Sequence, residues 1–317
     1  MDKIIIGIDI SKQKFDAAYK TAEGRWRQRV FENNPKGFNG LLGCVPQDFS
    51  GKIHVVMEAT GRYGEDLAHF FHGKGFDVSI INPAQIKHYG QSLLRRTKTD
   101  KADARLIAEF AEHQHLSIWQ PPLPSLQALK EQVRCLNSFK KDATQIRNRL
   151  EAAKDPKVRS LCQERLDHIE TQIKAIEAAI KKIIKEDQMV KAHFQRLITI
   201  PGIGEVTALI LLAELPDLST FKCAKQLAAY AGLNPSIRTS GSSVRGKERL
   251  SKMGHALLRK ALFLPALSIM GRKTPLAPFI ERLREKGKKG KVIVGAVMHK
   301  LLHIIFGVMK RQVAFQG

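Results

Sequence analysis

The sequence predicts three regions of different class: a mixed α/β region over residues 1–120, a coiled-coil helical hairpin over 121–194, and a mostly α-helical region over 195–317. Three observations carry this reading. Short apolar runs alternate with amphipathic stretches up to the proline cluster Pro121, Pro122 and Pro124. Beyond it, Leu166, Ile169, Ile173, Ile176, Ile180 and Ile183 recur at alternating spacings of three and four, an a/d seam. From about Leu197 onward the helical period returns in a very basic setting.

Within the first region, Ile4–Ile10 reads as an apolar strand, and Phe15–Tyr19 with Arg27–Phe31 as a hairpin around Ala22–Arg25. A short helix over Asn34–Gly43 precedes a strand at Ile53–Ala59. A helix from Tyr63 to His72 leads through a GKG turn to a strand at Asp77–Ile81, and Lys101–His113 is helical. The order opens with antiparallel strands, so a mixed sheet is expected rather than a doubly wound parallel one. In the hairpin, Leu126, Leu129, Val133, Leu136, Ala143, Ile146 and Leu150 line the first helix, and Asp155–Pro156 breaks it from the second. The seam of the second helix must meet another helix, either the first one or that of a second copy. In the last region, helices are expected near Gly254–Ser268 and over Val292–Val308, with a polar Gly/Ser/Arg stretch at Asn234–Gly246.

Charge narrows the partners. Lys and Arg number 53 against 30 Asp and Glu, a formal net charge of +23. Such a surplus repels itself and favours a polyanion, and nucleic acid fits better than an acidic substrate or a membrane. Cys44, Cys135, Cys162 and Cys223 form no CxxC pair, which argues against a zinc ribbon or a disulfide scaffold and predicts a reducing, cytoplasmic setting. Asp9 interrupts the apolar run at the start, a poor match to a signal peptide. The apolar stretches around Val206–Ala213 and Leu262–Met270 are too short to span a membrane, and no membrane partner is expected. GxGxxG and Walker motifs are absent, so a nucleotide cofactor lacks its usual support.

Four carboxylates stand apart. Asp9 ends a strand of isoleucines, Glu58 ends IHVVME, and Asp100 and Asp103 are three apart in TKTDKADA, on one helix face. Oxygen-only ligands from two strand ends and a helix are what a two-metal phosphoryl-transfer site uses, with Mg²⁺ the fitting ion and Mn²⁺ its substitute. The alternative is that Asp9 and Glu58 flank turns while Asp100 caps a helix. Asp2, Asp16, Asp66 and Asp77 read as solvated or turn residues.

Two further motifs concern phosphate. PGIGEVTALILL resembles a helix–hairpin–helix turn, in which Gly202 and Gly204 would let backbone amides approach a phosphate; a plain helix–helix turn is the alternative. The stretch NPSIRTSGSSVRGKERLSKMGHALLRKAL sets Ser236, Ser240, Ser242, Ser243 and Ser251 among Arg238, Arg245, Lys247, Arg249, Lys252, Arg259 and Lys260, and Lys288 and Lys289 belong to a second basic cluster. A serine there would either attack a phosphodiester or only donate hydrogen bonds to phosphate. His255 reads as a phosphate contact or a helix-surface residue.

Taken together and in order, IGIDISKQKFD, VVMEATGRYG, RRTKTDKADARLIAE, IPGIGEVTALILLAEL, AAYAGLNPS, SGSSVRGKERLSKMGHALLRKAL and VIVGAVMHKLLHIIFGVM resemble the Asp-Glu-Asp-Asp transposases of a prokaryotic insertion-sequence family, relatives of a site-specific DNA invertase. The resemblance covers nearly the whole chain. It implies an RNase H-like N-terminal domain of the Holliday-junction-resolvase type, with Asp9, Glu58, Asp100 and Asp103 as a metal-binding tetrad. It implies that the hairpin is a linker and multimerisation element, and that the C-terminal domain supplies a nucleophilic serine, carried here onto Ser240 beside Ser242 and Ser243. It further implies donor and target DNA, an element-encoded bridge RNA as guide, and an active homo-oligomer, a dimer or a tetramer. The competing readings are a Holliday-junction-resolving nuclease that uses metal-activated water, and a non-enzymatic nucleic-acid architectural protein.

Overall fold

The computed structural model describes residues 3–21, 23–44, 52–59, 61–93, 100–236, 239–240, 244–245 and 249–316. The chain forms two compact units, Met1–Pro121 and Pro122–Gly317.

The first unit contains β1 (Lys3–Ile10), β2 (Lys14–Lys20), β3 (Trp26–Glu32), α1 (Pro35–Leu42), β4 (Lys52–Glu58), a 3₁₀ turn (Gly61–Gly64), α2 (Glu65–Gly73), β5 (Asp77–Ile81), α3 (Pro83–Ser92) and α4 (Asp100–His113). Its five strands lie in the order β3-β2-β1-β4-β5. β2 runs antiparallel to β1 and β3, whereas β4 is parallel to β1 and to β5. The expected mixed sheet with an antiparallel opening is therefore present.

Strand alternation sorts β1 onto two faces. Ile4, Ile6, Ile8 and Ile10 enter a core with Phe15, Met57, Leu67 and Phe71, on the side covered by α1 and α2. Ile5, Gly7 and Asp9 take the other side, where Val56 and Ile81 pack with Ile86, Leu106, Ile107 and Phe110 of α3 and α4. Gly7 is required there. A Cβ on it would collide with the carbonyl oxygen of Ala104 and the amide nitrogen of Ala108, so α4 rests backbone to backbone on the middle strand.

The second unit contains α5 (Pro124–Ala152), α6 (Pro156–Glu186), α7 (Gln188–Ile198), α8 (Glu205–Glu214), a 3₁₀ turn (Leu218–Thr220), α9 (Ala224–Tyr230), β6 (Pro235–Ser236), β7 (Thr239–Ser240), β8 (Val244–Arg245), β9 (Arg249–Leu250), α10 (Ala256–Met270), α11 (Ala277–Glu285) and α12 (Gly290–Arg311). Asp155 caps α6 through the Val158 amide with Pro156 at its first turn, the break expected from sequence. The seam of α6 meets α5 of the same chain. Leu166 and Ile169 pack with Ala143 and Ile146, and Lys140–Glu177 and Arg147–Glu170 pairs at 2.7 Å fasten the edges. At its base the hairpin is part of the core of the C-terminal helices: Leu129, Val133 and Leu136 cluster with Leu197, Leu211, Leu262 and Leu301.

Two features depart from the sequence reading. The polar Gly/Ser/Arg stretch contributes two short antiparallel ladders, β6–β9 and β7–β8, each too brief to leave a period in the sequence. Among the described residues one helix, α12, is long and apolar enough by length and composition to cross a membrane. Its apolar residues Val297, Leu301, Leu302 and Ile305 are fully buried in the core of the second unit.

Candidate active site

In the first unit Asp9, Asp16 and Glu58 lie at one end of the sheet. The parallel register ends at Ile8 opposite Met57, so Asp9 and Glu58 occupy the next rung of neighbouring strands and share the α4 face. Asp103 lies in the first turn of α4, next to Ala104, whose carbonyl rests over Gly7. Gly7 and Asp9 are two apart on the same face. The Gly7 contact thus sets Ala104, the neighbour of Asp103, against β1 two residues before Asp9. Asp9, Glu58 and Asp103 are each half-buried, and each interacts with a neighbouring group. Asp9 is thus less enclosed than its isoleucine neighbours imply, because β1 ends one residue later. Asp100 opens α4, but its side chain lies outside the described residues.

Asp16 is a correction to the sequence reading. It is not a solvated turn residue: it lies in β2, only 5% exposed, directly opposite Asp9 in the antiparallel β1–β2 register. Directly opposed residues share a face, so two carboxylates stand side by side there. Lys14 Nζ approaches Asp16 at 3.8 Å. The signal was the spacing: with Asp9 near the end of β1, a short turn carries the chain back past it at Asp16. Among the described residues, no three His, Cys, Asp or Glu side chains form a ready metal cluster. The donor chemistry at this end of the sheet is nevertheless oxygen-only and acidic, and it fits Mg²⁺ rather than a softer ion.

In the second unit, Ser240 lies in β7 and pairs with Val244 across the ladder. Arg238, Ser242, Ser243 and Lys247 lie outside the described residues, as do the side chains of Ser240, Arg245 and Arg249. Of the other basic residues, Lys252, Lys260, Lys288 and Lys289 are exposed. Arg259 is committed inward, with Nη1 donating to the carbonyls of Ala231 at 2.8 Å and Gly254 at 3.0 Å. Gly202 has φ +82°, and a Cβ there would press on Ile269 and the Pro265 carbonyl, so its close approach is to α10. Around Gly204, which precedes α8, the corresponding space is open, although Glu205 in the first turn of that helix opposes an anion.

His255 also departs from the sequence reading. Its Nδ1 accepts from the Leu258 amide at 3.4 Å, its Nε2 lies 3.3 Å from Glu214 Oε2, and its ring stacks on Tyr230. Glu214, only 4% exposed, receives two hydrogen bonds from Arg134, at 2.7 and 2.8 Å. Burial pushes the Glu214 carboxyl up, but the Arg134 and His255 hydrogen bonds and charges outweigh it and hold it down at about 2. Burial, then the Glu214 charge, raises the Tyr230 phenol. A Glu closing the apolar helix ILLAE was the available signal, of the same kind as Glu58 closing IHVVME.

A family model described as a transposase matches residues 6–154, and a second, described as the transposase of the IS116/IS110/IS902 family, matches residues 194–280. The pilin gene-inverting protein of Moraxella bovis is 36% identical over 318 residues, covering 99% of this chain and 98% of that protein. The chain belongs to the IS110/IS116/IS902 transposase family. The pilin gene-inverting protein of Moraxella lacunata matches over the same extent at 36%. The transposase for insertion sequence element IS1111A of Coxiella burnetii is 24% identical over 98% of this chain and 91% of its own. Within this insertion-sequence transposase, the first model spans Asp9, Glu58, Asp100 and Asp103, and the second spans Gly202, Gly204 and Ser240. As a family member it is a DNA-cutting transposase or recombinase.

Proposed function

We propose that this transposase cuts and exchanges DNA strands through a covalent phosphoserine formed by Ser240, with Mg²⁺ held by Asp9, Glu58, Asp100 and Asp103. The observation that carries the metal part is the shared rung of Asp9 and Glu58 beneath the start of α4. The strand order β3-β2-β1-β4-β5, with only β2 reversed, supports an RNase H-like reading of the first unit. When bound, Mg²⁺ supplies charge neutralisation at the phosphate oxygens. The Ser240 hydroxyl oxygen forms a bond to phosphorus as one phosphorus–sugar oxygen bond breaks. The serine proton leaves, and the departing sugar oxygen takes one up. Attack by a sugar hydroxyl of another strand reverses the step and completes exchange. Flanking arginines, Arg238 and Arg245 among them, offset the charge that develops.

An element-encoded guide RNA belongs to this reading through the family resemblance, and the +23 charge suits two polyanions. Self-association in the active complex draws support from Leu257, Phe263, Leu264 and Leu267, all exposed on one side of α10. A cytoplasmic setting accords with four free cysteines. Inversion, as named for the Moraxella relatives, and insertion, as named for the Coxiella one, are both strand exchanges of this kind.

The deciding experiment uses end-labelled DNA on denaturing gels, with the protein and its element's transcript. Wild type is expected to give a protein–DNA adduct that Ser240→Ala abolishes and that Ser242→Ala and Ser243→Ala retain. An adduct persisting in Ser240→Ala moves the nucleophile to another serine. Cleavage by wild type without any adduct favours a water-using nuclease, and binding without cleavage favours an architectural protein. RNA extracted from the purified complex and sequenced tests the guide.

A further inference from the structure

The serine stretch has a tightly built base. The His255 amide donates to the Tyr230 carbonyl at 2.8 Å, Lys252 to Gly232 at 3.2 Å, and Ser251 to Asn234 at 2.8 Å, after which β6 and β9 continue the pairing. These bonds make a short ribbon stem, and in the sequence β7, β8 and Ser240 lie between its two strands. Its two crossing points are glycines because nothing larger fits. Gly232 has φ +68° and a Cβ there would press on the Met253 carbonyl, and Gly254 has φ +134° and a Cβ there would collide with the Tyr230 carbonyl.

One charged network meets that base. His255 closes the stem and caps α10, its Nδ1 accepting from the Leu258 amide at 3.4 Å and its Nε2 facing Glu214 Oε2 at 3.3 Å. Arg134, from the hairpin helix α5, holds Glu214 by a two-pronged contact. The ring of His255 is thus fixed at both nitrogens and by the stacked Tyr230. The pair is buried on the Glu214 side alone, Arg134 being half-exposed, so it adds little stability of its own, but it is directional.

We infer that Arg134, Glu214 and His255 are positioning residues that fix the ribbon carrying Ser240 against the hairpin helix, setting where its hydroxyl meets the scissile phosphate. This inference rests on the serine-nucleophile reading. None of the three needs to touch DNA. Their loss is expected to slow the covalent step at saturating DNA while leaving affinity in place, since an ångström of misplacement costs about 100-fold in rate.

The test uses the full-length protein with its DNA and transcript, comparing wild type, Glu214→Gln, His255→Asn and His255→Ala. Single-turnover adduct formation, DNA affinity, and hydrogen exchange at the Ser251, Lys252 and His255 amides are measured together. Asparagine keeps a cap on α10 but not the contact to Glu214, which separates the two functions of His255. The expected result for Glu214→Gln and His255→Asn is DNA affinity within about twofold, adduct formation slower by about 10- to 100-fold, and faster exchange confined to the stem amides. His255→Ala is expected also to lose protection in the first turn of α10. Wild-type adduct rates in folded Glu214→Gln and His255→Asn would overturn the inference, as would exchange that rises uniformly over the unit or a rate that returns on cooling. If Glu214→Gln does not fold, His255→Asn decides. Should wild type cleave without an adduct, the nucleophile reading fails by itself, and unchanged stem protection in His255→Asn would then reject the clamp as well.

Discussion

Asp16 faces Asp9 directly across the β1–β2 ladder, both on the side covered by α4. Opposed like charges are unfavourable by about 0.2–1 kcal/mol even on a solvated sheet, and Asp16 is buried. Its ion pair with the half-exposed Lys14, at 3.8 Å, offsets little of this. Asp16→Asn should therefore raise the melting temperature in metal-free buffer, by about 1–4 °C, and reduce the further rise on adding Mg²⁺. Calorimetry with and without the ion reads both effects. A lower metal-free melting temperature would mean that the other contacts of Asp16 outweigh the repulsion.

Asp9→Asn keeps the shape of the side chain while removing its charge. Strand cleavage should be lost at ordinary Mg²⁺ concentrations, with the fold and DNA binding largely retained. Full cleavage by this variant would remove Asp9 from the proposed metal site.

Gly7→Ala tests how α4 is held. The new methyl meets backbone atoms of Ala104 and Ala108, neither of which can move without the helix. The expected destabilisation is about 1–3 kcal/mol, read by denaturant unfolding. Because Asp103 precedes Ala104, cleavage should fall more than DNA binding. Wild-type stability would show that α4 can lift off β1 at little cost.

His54 makes the first unit acid-sensitive. Burial, aided by Lys3 and opposed by Asp77, holds its imidazole down at about 4. Its Nε2 contacts Ser79 Oγ at 2.8 Å, and its Nδ1 is buried with no hydrogen-bond partner among the described residues. Between about pH 6.5 and 4 the unfolded chain binds a proton that the folded one refuses. Stability contributed by neutral His54 is thus present above pH 6.5 and is lost as the pH falls toward 4, on the order of 3 kcal/mol. Melting temperature against pH should drop across that window in wild type, and His54→Gln should flatten the drop.

Nucleic-acid affinity should depend steeply on salt. If the basic surface neutralises about 6–10 phosphates, affinity falls by roughly 10³–10⁵ between about 50 and 200 mM salt. Replacing exposed Lys288 and Lys289 by Gln should lower the slope by about two and weaken binding on all sequences alike. A flat titration would remove electrostatics as the main source of affinity.

Much of the architecture was legible because it is periodic. The apolar run in KIIIGIDI announced a strand, and the threes and fours of α6 announced a seam. Proline and aspartate at Asp155–Pro156 marked the turn between the long helices. Asp9 and Glu58 stood out because each carboxylate breaks or follows an apolar pattern, a cost that local sequence can display, and Asp100 and Asp103 because they stand three apart on one helix face. The membership of the chain in a transposase family was likewise readable from the order of its motifs.

What the sequence could not decide is whatever depends on which pieces meet. The seam of α6 was equally satisfied by α5 or by a second copy, and packing chose α5. Asp16 resembled other scattered aspartates until the β1–β2 register put it opposite Asp9. Gly202 read as a phosphate approach, yet the space it frees is the one α10 uses. Arg134, Glu214 and His255 are separated by 80 residues or by 41, and no local pattern links a charge to a partner at that distance. Periodicity is a local property of the chain, fixed by backbone geometry within a few residues. Pairing of charges and close approach of backbones are properties of the assembled core, and only the tertiary structure determines them.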